Sequence, residues 1–180
     1  MSKFIRQTLR LFATILLLSL PYQAWAADKD YVLNTASTGG TYHPVGTAIA
    51  TLTKVKLLPK QKFSLTAVNS AGSGANVQAL GAGTADFAIL QGLYGSYAAT
   101  GTGPISEPQK NLRSVTMLWQ KVEQFLVANE KVKSGTVSDL MSLRGQSAGM
   151  GKQNSGTLGS NKVLLSGLGI DIGSDYDLVY

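Results

Sequence analysis

The chain has 180 residues, no cysteine, one histidine and a formal net charge of +6. The missing cysteines exclude a disulfide framework, so an ordinary hydrophobic core has to stabilise the fold. With His43 as the one histidine, Ser–His–Asp and Cys–His catalysis and the usual zinc sites lack parts. We therefore expect no enzyme, no metal site and no other cofactor.

Residues 1–26 have the build of a cleavable secretory signal. Three basic residues precede an apolar run over residues 11–20, and alanines at positions 24 and 26 fit cleavage after Ala26. The run is about half of the roughly 20 residues that span a bilayer, which disfavours the alternative of an uncleaved anchor. Cleavage leaves 13 of the 16 basic residues against all 10 acidic ones, so the net charge falls from +6 to +3. We predict a periplasmic protein whose charge argues little for nucleic acid but is compatible with an anionic ligand.

Strand-like and helix-like segments alternate in the first half of the mature chain. The patterns predict strands over residues 30–36, 62–70 and 86–92, the last one apolar enough to be buried on both faces of a parallel sheet. Helical spacing of apolar residues runs from Val45 to about Leu58, and a glycine-rich turn with a short helix is predicted after the second strand. This order predicts an α/β fold with parallel strands.

The second half continues the pattern. Residues 112–130 are apolar and β-rich, and they predict a long strand. A short helix is predicted over residues 135–145, where Thr136 and Asp139 have the spacing of a capping box.

A further strand–loop–helix unit begins near Arg144. A short strand is predicted at residues 146–151, an amphipathic helix within residues 152–170, and the start of another strand at residues 176–180. Because this unit is hardly completed, we expect the chain to be a fragment of a longer protein. The alternative is a single compact domain.

Two loops rich in glycine and hydroxyl groups precede predicted helices. They are STGGTYHPVG at residues 37–46 and KQNSGTLG at residues 152–159. Each places a flexible backbone beside the unpaired N–H groups and the positive dipole end of a helix, an arrangement that favours a bound carboxylate or phosphate. The first loop alone fits an ordinary βα connection equally well, but two such loops suggest two half-sites that face a shared cleft.

Nucleotide-binding motifs are missing, and the other conspicuous side chains receive mainly structural interpretations. No Walker sequence occurs, and GSGANVQALG lacks the G-x-G-x-x-G spacing. Asp86 is expected to cap or pair locally, and Trp119 with Phe125 to pack in the core or hinge. GSGAN is expected to cap the start of a helix, with the alternative that it reaches the same cleft. His43 is interpreted as a helix-start or cleft residue, and Gln91 as a polar residue at the carboxyl end of the third strand.

Three blocks in this order, STGGTYHPVG, GSGANVQALGAGTADFAILQ and KQNSGTLGSNKVL, make residues 30–180 resemble the TAXI-family solute receptors of TRAP transporters. The resemblance implies an α/β, periplasmic-binding-protein-like clamshell of type II that closes on a small anionic solute, such as glutamate or a dicarboxylate. It also implies delivery of the solute to an ion-gradient-driven TRAP permease in the membrane.

By the same resemblance, lobe one covers residues 27–115, a crossing or hinge strand residues 116–130, and the incomplete beginning of lobe two residues 131–180. The implied solute-binding residues are Thr38, Gly39, Gly40, Thr41, Tyr42 and Gln91 from lobe one, and Ser155, Gly156 and Thr157 from lobe two. The alternatives are an ABC-type receptor of the same fold and an exported fragment that binds nothing.

Overall fold

The structure, a computed structural model, describes residues 28–180. The predicted signal at residues 1–26 lies outside the described residues. The described chain contains two parallel β-sheets, each packed against helices, and a segment that connects them. The predicted mixed α/β class with parallel strands is confirmed. No helix within residues 28–180 is long and apolar enough to cross a membrane.

The first sheet has the strand order β2-β1-β3, with all neighbours parallel. Its strands are β1 (Lys29–Asn34), β2 (Phe63–Val68) and β3 (Phe87–Ala88). Leu33 in the central strand lies opposite Ala67 on one side and Phe87 on the other. The third strand, predicted over seven residues, therefore pairs over only two. Asp86 accepts a hydrogen bond of 2.9 Å from the Val32 amide, which is the structural role expected of it.

Four helices accompany this sheet. They are α1 (Tyr42–Lys56), α2 (Leu58–Gln61), α3 (Ser73–Gly81) and α4 (Gly92–Thr100). Helix α1 begins three residues before the predicted Val45, so His43 lies in its first turn, where Nδ1 is 3.0 Å from Thr35 Oγ1. Leu33, Ala50, Leu65 and Ile89 form the core between sheet and helix, and Val77, Tyr94, Ala98 and Ile105 form a second cluster around α3 and α4. We call residues 28–112 the N-terminal unit.

Residues 125–180 form a second unit, which we call the C-terminal unit. Two 3₁₀ helices at Asn129–Lys131 and Val137–Leu143 precede its other elements. These are β4 (Ser147–Ala148), α5 (Gly156–Ser166), α6 (Ile172–Asp175) and β5 (Asp177–Leu178), with β4 parallel to β5. Their buried side chains form one core: Leu140, Met150, Leu158, Leu165, Ile170, Ile172 and Tyr176.

The capping box at the second 3₁₀ helix is present in altered form. Thr136 accepts from the Ser138 amide as a cap, but Asp139 does not reach back to the amide of Thr136. Its carboxylate accepts from the amides of Lys133, Ser134 and Gly135 and from the Ser134 hydroxyl. The hydroxyl bond, with help from the backbone amides, lowers the pKa of Asp139 to about 2.

The segment between the two units is not the predicted strand. Residues 112–130 carry no strand, and no backbone–backbone hydrogen bond joins residues 114–127 to another described segment. A strand requires a neighbouring backbone that pairs with its N–H and C=O groups, and no described segment pairs its backbone with this one. The prediction that residues 116–130 form a crossing strand was therefore wrong about their backbone conformation. We call residues 113–124 the connecting segment.

Candidate functional site

A cleft of about 430 Å³ lies where the two units and the connecting segment meet. This volume is in the range of small-molecule sites. The N-terminal unit lines it with the loops before α1 and α3, the residues being Ala36, Ser37, Gly40, Thr41, Tyr42, Ala71, Gly72 and Ser73. The opposite side is lined by Gly151, Lys152, Ser155, Gly156 and Thr157, and the connecting segment contributes residues 119–122.

Three helix N-termini reach the cleft, but they are not equivalent. The Gly74 and Ala75 amides of α3 donate to the carbonyl oxygen of Asn154 in the C-terminal unit, at 2.9 and 3.3 Å. Asn154 has a φ of 59°, in the left-handed region that asparagine tolerates better than most residues. The first turn of α3 is thus occupied by the other unit. GSGAN starts a helix, as predicted, and the helices left to receive a ligand are α1 and α5.

Helix α5 begins with a side-chain cap. The Ser155 hydroxyl oxygen accepts from the Leu158 amide at 3.1 Å, which fixes the start of the helix and leaves the hydroxyl proton available. Helix α1 has no side-chain cap at Thr41. In both helices the first amides lack acceptors within the helix, so their partial positive charge faces the cleft lining.

Two lysines add full positive charge to the cleft lining. Lys121 comes from the connecting segment and Lys152 from the loop before α5. Lys121 Nζ lies 3.0 Å from Glu123 Oε1, in a pair whose side chains are 30% and 21% exposed. Burial opposes ionisation of Glu123, but hydrogen bonds from Ser160, Lys121 and Gln91 outweigh it and hold its pKa below the ordinary value. Glu123 therefore holds Lys121 in place, whereas no carboxylate within residues 28–180 forms a salt bridge with Lys152.

Trp119 belongs to the cleft as well as to the hinge. Its ring lies edge to face with Tyr42, with ring centroids 5.6 Å apart, and both side chains line the cleft. The interpretation of Trp119 as hinge or core packing was therefore incomplete, whereas Phe125 does pack against the core of the C-terminal unit. Burial raises the pKa of Tyr42, and the negative charge of Glu123 adds to the effect, so the phenol remains a hydrogen-bond donor at neutral pH.

Gln91 lies behind the cleft lining. Its backbone amide donates to Ser73 Oγ at 3.0 Å, and its Nε2 donates to Glu123 Oε1 at 3.1 Å. Its Oε1 is buried, and no hydrogen-bond donor from residues 28–180 reaches it. It lies close to Gly156, where an added Cβ would be 2.7 Å from it. Gln91 therefore holds the connecting segment and faces the start of α5.

The structure brings together six of the nine predicted site residues. Gly40, Thr41, Tyr42, Ser155, Gly156 and Thr157 line the cleft from both sides. Thr38 and Gly39 belong to the same loop but are not part of the lining, and Gln91 lies behind it. Whether any of them contacts a solute stays a prediction.

Sequence reasoning missed the two lysines. Lys121 interrupts an apolar stretch, LWQKVEQF, together with Gln120 and Glu123. These polar residues within an apolar stretch were the signal that could have identified Lys121 as a site residue. The stretch was instead predicted to be a strand. Lys152 opens the predicted loop KQNSGTLG but was not among the predicted site residues.

The two units contact each other through glycines. A Cβ at Gly72 would lie 3.3 Å from Ser155 Cα, and one at Gly74 would lie 2.8 Å from the Asn154 carbonyl oxygen. On the other side, a Cβ at Gly159 would lie 2.6 Å from the Tyr94 ring. Because real Cβ contacts are longer, these glycines allow the backbones of the two units to approach closely. We call Gly72, Gly74, Gly156 and Gly159 the glycine seam.

A cleft between two α/β units, lined by helix starts, hydroxyls and lysines, is the arrangement of a small-molecule binding protein. The chain matches the NMT1-like family over residues 33–180 and belongs to that family. The family is one of periplasmic binding proteins, and the α/β fold and the cleft of this chain agree with solute binding. Members of such families work with membrane transporters.

Proposed function

We propose that this protein is an extracytoplasmic receptor that captures a small carboxylate, an amino acid such as glutamate or a dicarboxylate, for an ion-gradient-driven TRAP permease. The observation that carries the proposal is the convergence of two helix N-termini and two lysines on one cleft of about 430 Å³. Helix N-termini and lysines both favour an anion, and the volume suits a small one. The chemistry is binding, without turnover of the solute.

The carboxylate would lie between the first turns of α1 and α5. Gly40 and Gly156 let it approach the backbone amides, while Thr41, Thr157 and the protonated Tyr42 offer hydroxyl hydrogen bonds. Lys152 supplies a cation that no described carboxylate pairs with, since the salt bridges within residues 28–180 do not include it. Lys121 supplies a second cation, which Glu123 holds in place.

In this proposal the two units are the lobes of a clamshell, and the connecting segment is part of the hinge. Solute would favour the closed arrangement because it contacts both lobes only when they are together. The glycine seam supports the proposal, since it lets the lobes close without a steric clash. The signal at residues 1–26 would export the receptor, and a TRAP permease would receive the solute.

Isothermal titration of the exported protein with glutamate, glutamine, succinate and 2-oxoglutarate tests the proposal. We expect saturable binding of at least one carboxylate, with an affinity that falls as ionic strength rises because charges on the cleft are screened. No binding across this set would contradict the carboxylate assignment. A neighbouring gene for a multi-span permease supports the TRAP partnership, whereas a neighbouring ATPase gene favours an ABC-type receptor.

Lysine variants link the binding to the cleft. Lys152→Met and Lys121→Met are expected to weaken carboxylate binding roughly tenfold each, about 1.4 kcal/mol, a size typical of hydrogen bonds to charged groups. Lys110→Met, an exposed lysine outside the cleft lining, is the matched control and should bind as the unsubstituted protein does. Equal losses in all three variants would point to net charge instead of the cleft.

A further inference from the structure

One carboxylate oxygen of Glu123 contacts both units and also a lysine of the cleft lining. Its Oε1 accepts from Gln91 Nε2 of the N-terminal unit at 3.1 Å and from Ser160 Oγ of helix α5 at 2.7 Å. The same oxygen lies 3.0 Å from Lys121 Nζ, which lines the cleft. Glu123 itself is not part of the cleft lining. It lies where it can act on the solute site without touching the solute.

The hydrogen bonds to Glu123 are of the strong kind. Ser160 is buried and Gln91 half-buried, so water competes weakly for their donors. Glu123 carries a negative charge at neutral pH, which shortens and strengthens the bonds that it accepts. In the side-chain amide of Gln91, only Nε2 can donate to a carboxylate. The bond to Glu123 therefore orients the amide so that Oε1 faces Gly156.

We propose that Glu123 is a positioning residue that holds the two units in the closed arrangement and keeps Lys121 directed at the solute site. The inference rests on the proposed function in one respect, since it assumes that a solute binds between the units. Separation of the units breaks at least one of the hydrogen bonds from Gln91 and Ser160, while the contact with Lys121 lies within the connecting segment. Closure and the placement of the cation are thereby joined at one oxygen atom.

A purely structural ion pair would lower thermal stability when removed and would leave the spacing of the units unchanged. The positioning role predicts a change in that spacing. The absence of native cysteines allows a direct measurement, because two cysteines introduced at exposed positions can carry spin labels without interference. Lys60 in α2 and Lys162 in α5 are exposed and lie in different units.

The experiment measures the distance between spin labels at Lys60→Cys and Lys162→Cys in the full chain by double electron–electron resonance, with no solute added. We expect a short-distance population in the labelled parent, because the contacts of Glu123 need no solute. Glu123→Ala should shift at least half of that population to longer distances. Glu123→Gln should give a smaller shift, since its amide oxygen still accepts from Ser160 while the charge is lost.

Glu130→Ala is the matched control. Glu130 is an exposed acidic residue seven positions further on, outside the salt bridges of the described residues, and its removal should leave the distances unchanged. Ser160→Ala removes the contact from the side of helix α5 and should reproduce the shift, and adding it to Glu123→Ala should give no further opening.

Unchanged distances in Glu123→Ala, with the fold verified by circular dichroism, would overturn the proposal. If that variant does not fold, unchanged distances in both Glu123→Gln and Ser160→Ala would overturn it equally. A labelled parent without a short-distance population would also contradict it. Because the measurement needs no solute, a failure of the carboxylate titrations leaves its result intact, so the two hypotheses can fail separately.

Discussion

Gly159 gives the sharpest test of how closely the two units approach. In Gly159→Ala the new Cβ would lie 2.6 Å from Cε2 and from Oη of Tyr94. Carbon atoms in contact are about 3.5–4.0 Å apart, so the tyrosine ring or helix α5 has to move by about 1 Å. Tyr94 is buried in the cluster with Val77, Ala98 and Ile105, and it has little room to move.

The expected cost follows from the packing. Overpacking of a buried contact costs about 1–3 kcal/mol, against which alanine gains roughly 1 kcal/mol of helix propensity over glycine. The contact joins different units, so the overpacking cost falls on the closed arrangement proposed above, whereas the gain in helix propensity is the same in the closed and open arrangements and cancels. A penalty of about 1–3 kcal/mol on the closed arrangement weakens solute binding roughly 5- to 150-fold.

Calorimetric titration with the best-binding carboxylate measures this loss, and thermal melting shows whether the units remain folded. Gly95→Ala is the matched control, because Gly95 is also a helical glycine but has nothing within 4 Å of an added Cβ. It should bind normally and melt at the same temperature or slightly higher. Wild-type affinity and melting in Gly159→Ala would refute the close approach of α5 to Tyr94.

Two further predictions concern Asp139 and Trp119. The fold holds the pKa of Asp139 at about 2, below the value of about 3.9 expected in the unfolded chain. The ionised carboxylate therefore stabilises the fold fully when the pH is above about 3.9, and this stabilisation is lost as the pH falls toward 2. Asp139→Asn should therefore melt below the parent at pH 7, and the gap should close between about pH 4 and pH 2; a gap independent of pH would contradict the assignment. In a chain with Trp25→Phe, Trp119 is the one remaining indole, and its position in the cleft predicts that a bound carboxylate changes its emission. Titration without a spectral change, under conditions where calorimetry shows binding, would place the solute away from Trp119.

The sequence was sufficient for the parts of the fold that local patterns determine. Alternation of strand and helix segments predicted the parallel sheet, and the glycine-rich loops before α1 and α5 predicted which chain segments meet at the cleft. Both are consequences of short-range chemistry. Helix α4 was missed because its sequence, GLYGSYAAT, mixes small and aromatic residues without a marked apolar face.

The remaining features depend on contacts between distant segments. Residues 112–130 have strand composition, yet composition cannot supply the neighbouring backbone that a strand needs. The role of Gln91 is set by Glu123 and Gly156, which follow 32 and 65 positions later. Lys121 enters the site because the connecting segment passes the cleft. The polar neighbours of Lys121 mark the segment as unusual, but its path depends on contacts with distant segments.

The carbonyl group of Asn154 has a consequence for how opening can be observed. It is the acceptor for the amide hydrogens of Gly74 and Ala75, and it belongs to the other unit. In the proposed opening of the two units, these two amides lose their acceptor and meet water, although the rest of helix α3 stays folded. Their rates of exchange with deuterated solvent therefore count the open molecules, and any bound solute should slow these two amides in proportion to how well it keeps the units together.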